Sequence, residues 1–305
     1  MGEKDKPKGL ETEISYEDES KWTFKVSKPP EDIKPGEYSV DFYTEDDGKI
    51  YKQTVNFYWG VLAINTNKSI YAPGDDAVFQ MGVLSDIGET ICDANLKLTL
   101  EFPDKAIITP QVNRSESCGP RTVTNRPDYF AAWPVDQVGT YAMKLESFDA
   151  SGTIIHATED TFEVRDEVPF DVERFSPTRI FPLANYTTGL IVKAYEDYSG
   201  PITEKVPGSF EILESNYEYT EELVGEERIL TWNLDLVEGE EYEITYTFDP
   251  PNVSPELHLI GPLLFQNAQN SASDTSPFKE ARLWQIASDV TCLGVLDGVT
   301  MTDTG

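Results

Sequence analysis

The sequence predicts an all-β protein built from tandem antiparallel β-sandwiches, and three observations lead to this fold class. Aromatic residues, which favour the half-buried surface of a sheet, are abundant, with 15 Tyr, 15 Phe and 5 Trp among 305 residues. The 20 Gly and 20 Pro supply many turns. One hairpin pattern recurs after roughly 100 residues, which is the length of one sandwich domain.

The first copy of this hairpin begins at Gly36 and ends at Phe57. Between Tyr38 and Phe42, apolar residues alternate with polar ones, as in a strand with one buried face. Asp47-Gly48 then predicts a tight turn, because this pair tolerates the positive φ angles that hairpin turns need.

The second copy begins at Gly139, turns at Ser151-Gly152 and ends at Val164. It closes a sandwich that starts near Gly60, whereas too few residues precede the first copy to complete one. We therefore expect a fragment of a longer array. Four parts are predicted. Residues 1–59 form an N-terminal β segment (a partial or truncated sandwich), residues 60–165 a complete sandwich, residues 166–290 a second sandwich, and residues 291–305 a linker or tail.

A turn motif near the start of the 60–165 region carries a resemblance to a known family. The matching residues are Lys68, Tyr71, Pro73, Gly74 and, one position later than in the pattern, Val78. They resemble the "DK-x-x-Y-x-PG-x-x-V" opening of the MG2-type domain of the alpha-2-macroglobulin superfamily. Asn67 stands where the family has Asp, and the turn at Asp86-Ile87-Gly88 is one residue shorter than the family's.

This resemblance implies a macroglobulin-like or immunoglobulin-like sandwich of about seven strands, used as a spacer. The thioester motif of the superfamily, of the "GCGEQ" kind, is absent from the chain, so its inhibitor chemistry is not implied. The chain is more similar to MG2-like modules of large prokaryotic surface proteins.

Alternation predicts further strands in the 166–290 region. In the clearest, from Tyr242 to Phe248, Tyr, Ile and Phe alternate with Glu and Thr, as in an antiparallel strand with one face exposed to water. The segment from Phe278 to Asp289 has no tidy helical stripe, so we predict a single strand there. The other predicted strands are residues 188–195, 210–212 and 229–234.

The charge balance excludes several classes of partner. The net charge is -31, from 55 acidic and 24 basic residues. Nucleic acid and anionic membrane surfaces both attract basic faces, so neither is expected as a partner. No apolar run is long enough to predict direct membrane insertion, and the N-terminal residues lack the apolar segment of a secretory signal. We expect an extracellular or cell-surface protein cut from a larger precursor.

Two of the three cysteines are candidates for a disulfide. Cys92 and Cys118 lie in one predicted domain, and Cys118 sits in a polar loop that a crosslink would stabilise by about 3 kcal/mol. Two free thiols are the alternative. Cys292 is left over, and its pairing stays open.

Metal binding is weakly indicated. The two histidines lie in different predicted domains, which disfavours zinc. Calcium is a possible cofactor at a domain junction, with Asp166, Glu167, Glu196 and Asp197 as ligands. Ordinary solvated charge is the alternative. No cofactor is otherwise expected.

A self-formed isopeptide crosslink is a further hypothesis, because some surface sandwich domains join a Lys to an Asn beside a buried acid. Lys193 lies in a predicted strand, and Asn233 or Asn267 could face it. An exposed Lys on the wet face of a strand is the alternative.

The sequence contains no G-x-S-x-G elbow and no nucleotide-binding glycine loop, and no catalytic residues are predicted. We expect a non-catalytic structural or adhesive stalk module, whose partners are neighbouring domains of the same protein or a surface protein or glycan. The alternative is a glycan- or protein-binding sandwich that uses Trp133, Tyr217 and Tyr219, unless these rings belong to the cores.

Overall fold

The structure is a computed structural model that describes residues 11–18, 21–27, 36–46, 49–59, 61–85, 88–271 and 274–289. Every regular element in these ranges is a β-strand, so the all-β prediction is confirmed. None of the described residues forms a helix that could cross a membrane.

Two hairpins occupy the N-terminal part of the chain. The first pairs β1 (Glu11–Asp18) with β2 (Lys21–Ser27), and the second pairs β3 (Gly36–Asp46) with β4 (Lys49–Trp59). The second is the hairpin that the sequence predicts, and within it Tyr38 lies opposite Phe57. The turn residues 47–48 lie outside the described residues.

The first sandwich comprises residues 61–164. Its two sheets have the orders β10-β11-β7-β5 and β6-β13-β12-β8-β9. The strands are β5 (Val61–Thr66), β6 (Ile70–Tyr71), β7 (Asp75–Leu84), β8 (Asn95–Glu101), β9 (Ile107–Ile108), β10 (Asn113–Arg114), β11 (Tyr129–Val135), β12 (Gly139–Phe148) and β13 (Ile154–Val164).

Alternating apolar residues build the core of the first sandwich. Phe79, Tyr141 and Phe162 are fully buried, and the last two rings stack with their centroids 5.0 Å apart. The predicted turn at Pro73-Gly74 is present: Asp75 N donates to Ala72 O at 3.1 Å. Gly74 has a φ of 92°, a value that the third position of a type II turn requires and that glycine accepts without strain.

The second sandwich comprises residues 170–288. Its sheets have the orders β14-β16-β21-β18, β19-β20-β17-β23-β24 and β15-β25-β22. The strands are β14 (Phe170–Phe175), β15 (Arg179–Ile180), β16 (Tyr186–Ala194), β17 (Tyr198–Pro207), β18 (Glu211–Ser215), β19 (Tyr219–Val224), β20 (Glu227–Leu236), β21 (Glu241–Asp249), β22 (Glu256–Ile260), β23 (Leu263–Ser271), β24 (Asp274–Glu280) and β25 (Trp284–Ser288).

Large aromatic rings fill the core of the second sandwich, among them Trp232, Tyr246, Phe248 and Phe265. The predicted Tyr242–Phe248 strand is confirmed as part of β21. The single strand predicted from Phe278 to Asp289 is wrong in one respect. It is interrupted at residues 281–283, which separate β24 from β25. The predicted domain boundaries stay predictions.

Candidate functional site

The most unusual feature of the chain is the contact between the two sandwiches, here called the joint. Its apolar part includes a cluster of Val61, Ala63 and Leu84 of the first sandwich with Ala287 of the second, and Ile70 of the first packs against the core of the second. Buried polar side chains add hydrogen bonds and an ion pair. The joint therefore depends on hydrogen bonds and ion pairs to an extent that a hydrophobic core does not.

Arg179 is the central cation of the joint. It lies on β15, and its side chain is 2% exposed. Its Nε and Nη2 donate to the two carboxylate oxygens of Asp128, at 2.7 and 3.0 Å. Asp128 belongs to the first sandwich and is 1% exposed. This paired geometry fits the planar guanidinium to the carboxylate in one orientation, so it defines how the sandwiches meet.

A second carboxylate extends this contact. Asp289 follows β25, and its Oδ2 accepts from Arg179 Nη1 at 3.3 Å and from the backbone N of Arg121 at 2.6 Å. Burial raises the pKa of the Asp128 carboxyl above its ordinary value, although the hydrogen bonds and charge of Arg179 oppose the shift. Arg121 and Asp128 lie in the same part of the first sandwich, so both sandwiches contribute partners to one buried network.

Arg282 makes the second charged contact across the joint. Residue 282 lies in the interruption between β24 and β25. Its Nη2 donates to Ile64 O at 2.6 Å, and its Nη1 donates to Thr66 Oγ1 at 3.0 Å. Nη2 also lies 3.0 Å from Asp160 Oδ2. The interruption that the sequence pattern did not predict thus carries the arginine that reaches the first sandwich.

An amide pair lies beside Arg282. Asn65 is fully buried, and its Nδ2 donates to Gln285 O at 2.8 Å while its Oδ1 accepts from Gln285 N at 2.7 Å. Gln285 returns the contact, since its Oε1 accepts from Ile64 N at 3.1 Å. The two side-chain amides thus bind backbone N–H and C=O groups of β5 and β25 that a neighbouring strand would otherwise bind.

The turn motif singled out in the sequence forms the remaining side of the joint. Asn67 Oδ1 accepts from Tyr71 Oη at 2.7 Å and from Val78 N at 3.2 Å, which leaves Nδ2 to donate to Glu173 Oε1 at 3.0 Å. Glu173 belongs to the second sandwich. An Asp, which the resembled family has at this position, lacks the donor and would face a carboxylate.

Lys68 bridges the two sandwiches next to Asn67. Its Nζ lies 3.1 Å from Asp75 Oδ2 in the first sandwich and 2.8 Å from Asp171 Oδ2 in the second. Burial alone would lower the pKa of Lys68, but the hydrogen bonds and charges of Asp171 and Asp75 outweigh it and raise that pKa above its ordinary value. The ammonium is therefore held as a cation between two carboxylates.

A buried charge cluster lies inside the second sandwich. Arg174 contacts Glu204, and its Nη2 lies 3.6 Å from Glu280 Oε2. All three side chains are at most 6% exposed. Arg174 N also donates to Asn67 O at 2.7 Å, so the cluster is attached to the joint through β14. The sequence analysis missed these residues.

A disulfide joins Cys92 and Cys118, the pairing that the sequence predicts, with their Cα atoms 5.7 Å apart. It connects the segment before β8 to the loop that ends at Asp128. Because this loop also contains Arg121, the crosslink holds the part of the first sandwich that contacts Arg179 and Asp289. Cys292 lies outside the described residues.

The predicted calcium ligands do not form a cluster. Asp166 and Glu167 line a cleft of about 400 Å³ beside the joint, and Glu196 and Asp197 are exposed. Asp197 Oδ1 accepts from Glu238 N at 2.9 Å, so this carboxylate stabilises a turn. The described residues contain no group of three or more His, Cys, Asp or Glu that could hold a metal ion.

The residues of the isopeptide hypothesis are not brought together. Lys193 lies on the outer face of β16, where its Nζ is 5.5 Å from the centroid of the Tyr195 ring. Asn233 is exposed on β20 in the opposite sheet, and Asn267 Nδ2 donates to Ser199 O at 2.8 Å. Side chains on the outer faces of two packed sheets point away from each other.

The aromatic residues of the binding alternative are partly buried. Tyr217 and Tyr219 pack against the core of the second sandwich, and Trp133 packs against the core of the first. The indole Nε1 of the fully buried Trp232 donates to Ser215 Oγ at 3.1 Å, close to Tyr217 in the chain. These rings therefore act as core residues.

Comparison with known proteins gives only remote likenesses. No family model matches the chain, and no curated protein matches it. A membrane-anchored protein from Corynebacterium diphtheriae has 13% identity over 92% of this chain and 76% of its own, with a TM-score of 0.26. The alpha-2-macroglobulin of Escherichia coli activated by porcine elastase has 11% identity over 92% of this chain, with a TM-score of 0.31.

The alpha-2-macroglobulin of Salmonella reacted with methylamine has 12% identity over 85% of this chain, with a TM-score of 0.28. The chain spans 29% of the Escherichia coli protein and 19% of the Salmonella protein. Likeness at this level decides nothing about activity.

Proposed function

We propose that this chain is a non-catalytic structural or adhesive stalk module of a larger extracellular or cell-surface protein, and that its two sandwiches act as one stiff unit. The observation that carries the proposal is the paired contact between Arg179 and Asp128 across the joint. The proposed role requires no cofactor. Its partners would be neighbouring domains of the same protein, or a protein or glycan at the cell surface.

The charged contacts of the joint support stiffness because they are satisfied in only one relative orientation. A small rotation of one sandwich would leave Arg179 or Asp128 desolvated and unpaired, which costs several kcal/mol. Domain contacts within a chain are usually polar and permit movement. Here Lys68, Asn67 and Arg282 add contacts on other sides of the joint, so a rotation that relieves one contact breaks another.

The disulfide and the charge support an extracellular setting. Structural disulfides persist in oxidising compartments and are rare in the cytosol. The net charge of -31 keeps such a chain soluble and limits non-specific association. Both properties suit a spacer that stands away from a cell surface. Labelling of intact cells with a membrane-impermeant amine reagent tests the location: the parent protein should be modified, and protection until lysis would contradict it.

Stiffness is tested by measuring a distance between the sandwiches. Nitroxide labels on encoded ketone residues at the exposed positions Ile107 and Val237 leave the disulfide untouched. Double electron–electron resonance should give one narrow distance distribution. The distribution should broaden in the Arg179→Met/Arg282→Met variant and stay narrow in Arg126→Met, which changes an exposed arginine. A broad distribution in the unsubstituted protein would overturn the proposal.

A further inference from the structure

One strand of the second sandwich has an open edge. β19 is the first strand of its five-stranded sheet: β20 pairs with one side of it, and among the described residues no strand pairs with the other. Five of its six residues are exposed, including Leu223 at 61% and Val224 at 49%. Alternate residues of such an edge present backbone N–H and C=O groups that another strand can bind.

Three other edges of the sandwiches are covered or lack a free donor. On β5, Ile64 N donates to Gln285 Oε1 and Ile64 O accepts from Arg282. On β14, Arg174 N donates to Asn67 O. On β24, Pro277 has no N–H to offer. The joint therefore covers two edges, whereas β19 combines a free edge with exposed aliphatic side chains.

The charges around β19 indicate the chemistry of a partner. Glu221 and Glu222 lie in the strand, and Glu226 and Glu227 lie at its turn. Glu221 is paired with Arg228, and Glu227 is paired with Lys205. Tyr219 packs on the core, so alternation places Glu222 on the outer face of the sheet. A basic residue opposite Glu222 would be favourable.

A second copy of this chain is a poor occupant. Two β19 edges in contact would bring like carboxylates together, which is destabilising. The net charge of -31 adds repulsion between whole molecules. Charge complementarity instead selects a partner strand that contains Lys or Arg.

We propose that the open edge of β19 binds an extended protein segment in which basic residues alternate with aliphatic ones. The segment would add a strand to the sheet, with backbone hydrogen bonds to β19, a cation near Glu222 and an aliphatic side chain near Leu223. Such a segment would be a partner of the stalk module. The inference rests on the proposed surface role only in that the partner would be found at the cell surface.

The test uses a fluorescein-labelled peptide of about eight residues that alternates valine with lysine, a length typical of strands. Fluorescence anisotropy should show saturable binding to the full chain. The same peptide N-methylated at every amide, and a peptide that alternates valine with glutamate, should bind at least about tenfold more weakly, because the first lacks backbone donors and the second reverses the charge.

Matched variants locate the site. Glu222→Arg should weaken binding of the lysine peptide about fivefold, because a strong cross-strand charge pair contributes about this factor to the affinity. Glu196→Arg makes the same charge change at an exposed turn and should leave binding unchanged. Hydrogen exchange should show new protection of the amides of β19 when the peptide is bound.

Three outcomes would overturn the proposal: no saturable binding, equal binding of the N-methylated peptide, or equal effects of Glu222→Arg and Glu196→Arg. The last two would mean that only diffuse charge attracts the peptide. The distance measurement across the joint does not involve β19, so failure here and failure of the stalk proposal are distinguishable.

Discussion

Arg179 of the second sandwich donates two parallel hydrogen bonds to Asp128 of the first, at 2.7 and 3.0 Å, with both side chains almost fully buried. Arg179 Nη1 also reaches Asp289 Oδ2 at 3.3 Å. This arrangement makes one cation the counterion of two buried carboxylates. Removing it takes away both hydrogen bonds that Asp128 accepts from the guanidinium and the cation beside Asp289, whereas removing an exposed arginine takes no counterion from a buried group.

Arg179→Met should therefore lower the free energy of unfolding by about 3–5 kcal/mol, the usual effect of breaking a buried ion pair from one side. Urea denaturation followed by tryptophan fluorescence measures this change. Arg126→Met serves as the control, because Arg126 is an exposed arginine of the neighbouring loop, and it should change stability by less than about 0.5 kcal/mol. Equal stability of both variants would show that the pair contributes nothing.

Asn67→Asp tests the amide that the motif carries in place of the family's Asp. The substitution keeps the acceptor for Tyr71 and Val78 but replaces the donor to Glu173 Oε1 with a second carboxylate. We expect a loss of about 1–3 kcal/mol in the free energy of unfolding.

Glu173→Gln in the Asn67→Asp background supplies a donor again and should recover most of the loss. Asn95→Asp, at an exposed position of β8, is the matched control and should be nearly neutral. Failure of the rescue would mean that Asn67 acts only within the first sandwich.

The burial of two charged residues of the second sandwich could have been predicted from the sequence. In β14 the inward positions are Phe170, Val172 and Arg174, so strict alternation already places the arginine on the buried face. Glu204 likewise lies between the inward residues Ile202 and Val206 on β17. The local pattern thus contains a signal for buried charge.

The partners of these charges could not be predicted in the same way. Arg179 meets Asp128 and Arg282 meets Asp160 only because two sandwiches dock in one orientation, and alternation within a strand says nothing about docking. The interruption at residues 281–283 escaped prediction because apolar residues continue through it, whereas Arg282 leaves the strand to reach Ile64 O and Thr66 Oγ1. Strands can be predicted from the alternation of residues close together in the sequence, whereas the contacts of the joint involve residues far apart in the sequence.

Lys68 predicts a dependence of stability on alkaline pH. Burial would lower the pKa of Lys68, but Asp171 and Asp75 raise it above the ordinary value of 10.5. The folded protein therefore holds this proton to higher pH than the unfolded chain does. Its contribution to stability is complete below the unfolded pKa and is lost as pH rises through the folded pKa.

The measurement is the difference in free energy of unfolding between the unsubstituted chain and Lys68→Met, taken between pH of about 8 and about 11.5. This difference should shrink at the alkaline end. For Lys97→Met, which changes an exposed lysine of β8, it should be small and flat with pH. A Lys68→Met difference that does not change over this range would rule out the cation as the source of the stabilisation.

The disulfide between Cys92 and Cys118 should stabilise the joint as well as the loop it closes. Reduction with a phosphine breaks the S–S bond with gain of two hydrogens, so the intact mass under denaturing conditions should rise by about 2 Da. Cys92→Ala/Cys118→Ala should lower the free energy of unfolding by about 3 kcal/mol, the expected effect of opening a loop of this length. An unchanged mass would show that the crosslink is not formed.

The connection to the joint needs a local measurement. Arg121 N and Asp128 contact Asp289 and Arg179 from the loop that Cys118 anchors. Hydrogen exchange in the Cys92→Ala/Cys118→Ala variant should therefore accelerate in residues 119–128 and in β15, while the paired strands β16 and β21 remain as protected as before. All samples carry Cys292→Ser to prevent thiol exchange. If exchange accelerates only in residues 119–128, the disulfide stabilises its own loop and has no effect on the contact of Arg179 with Asp128.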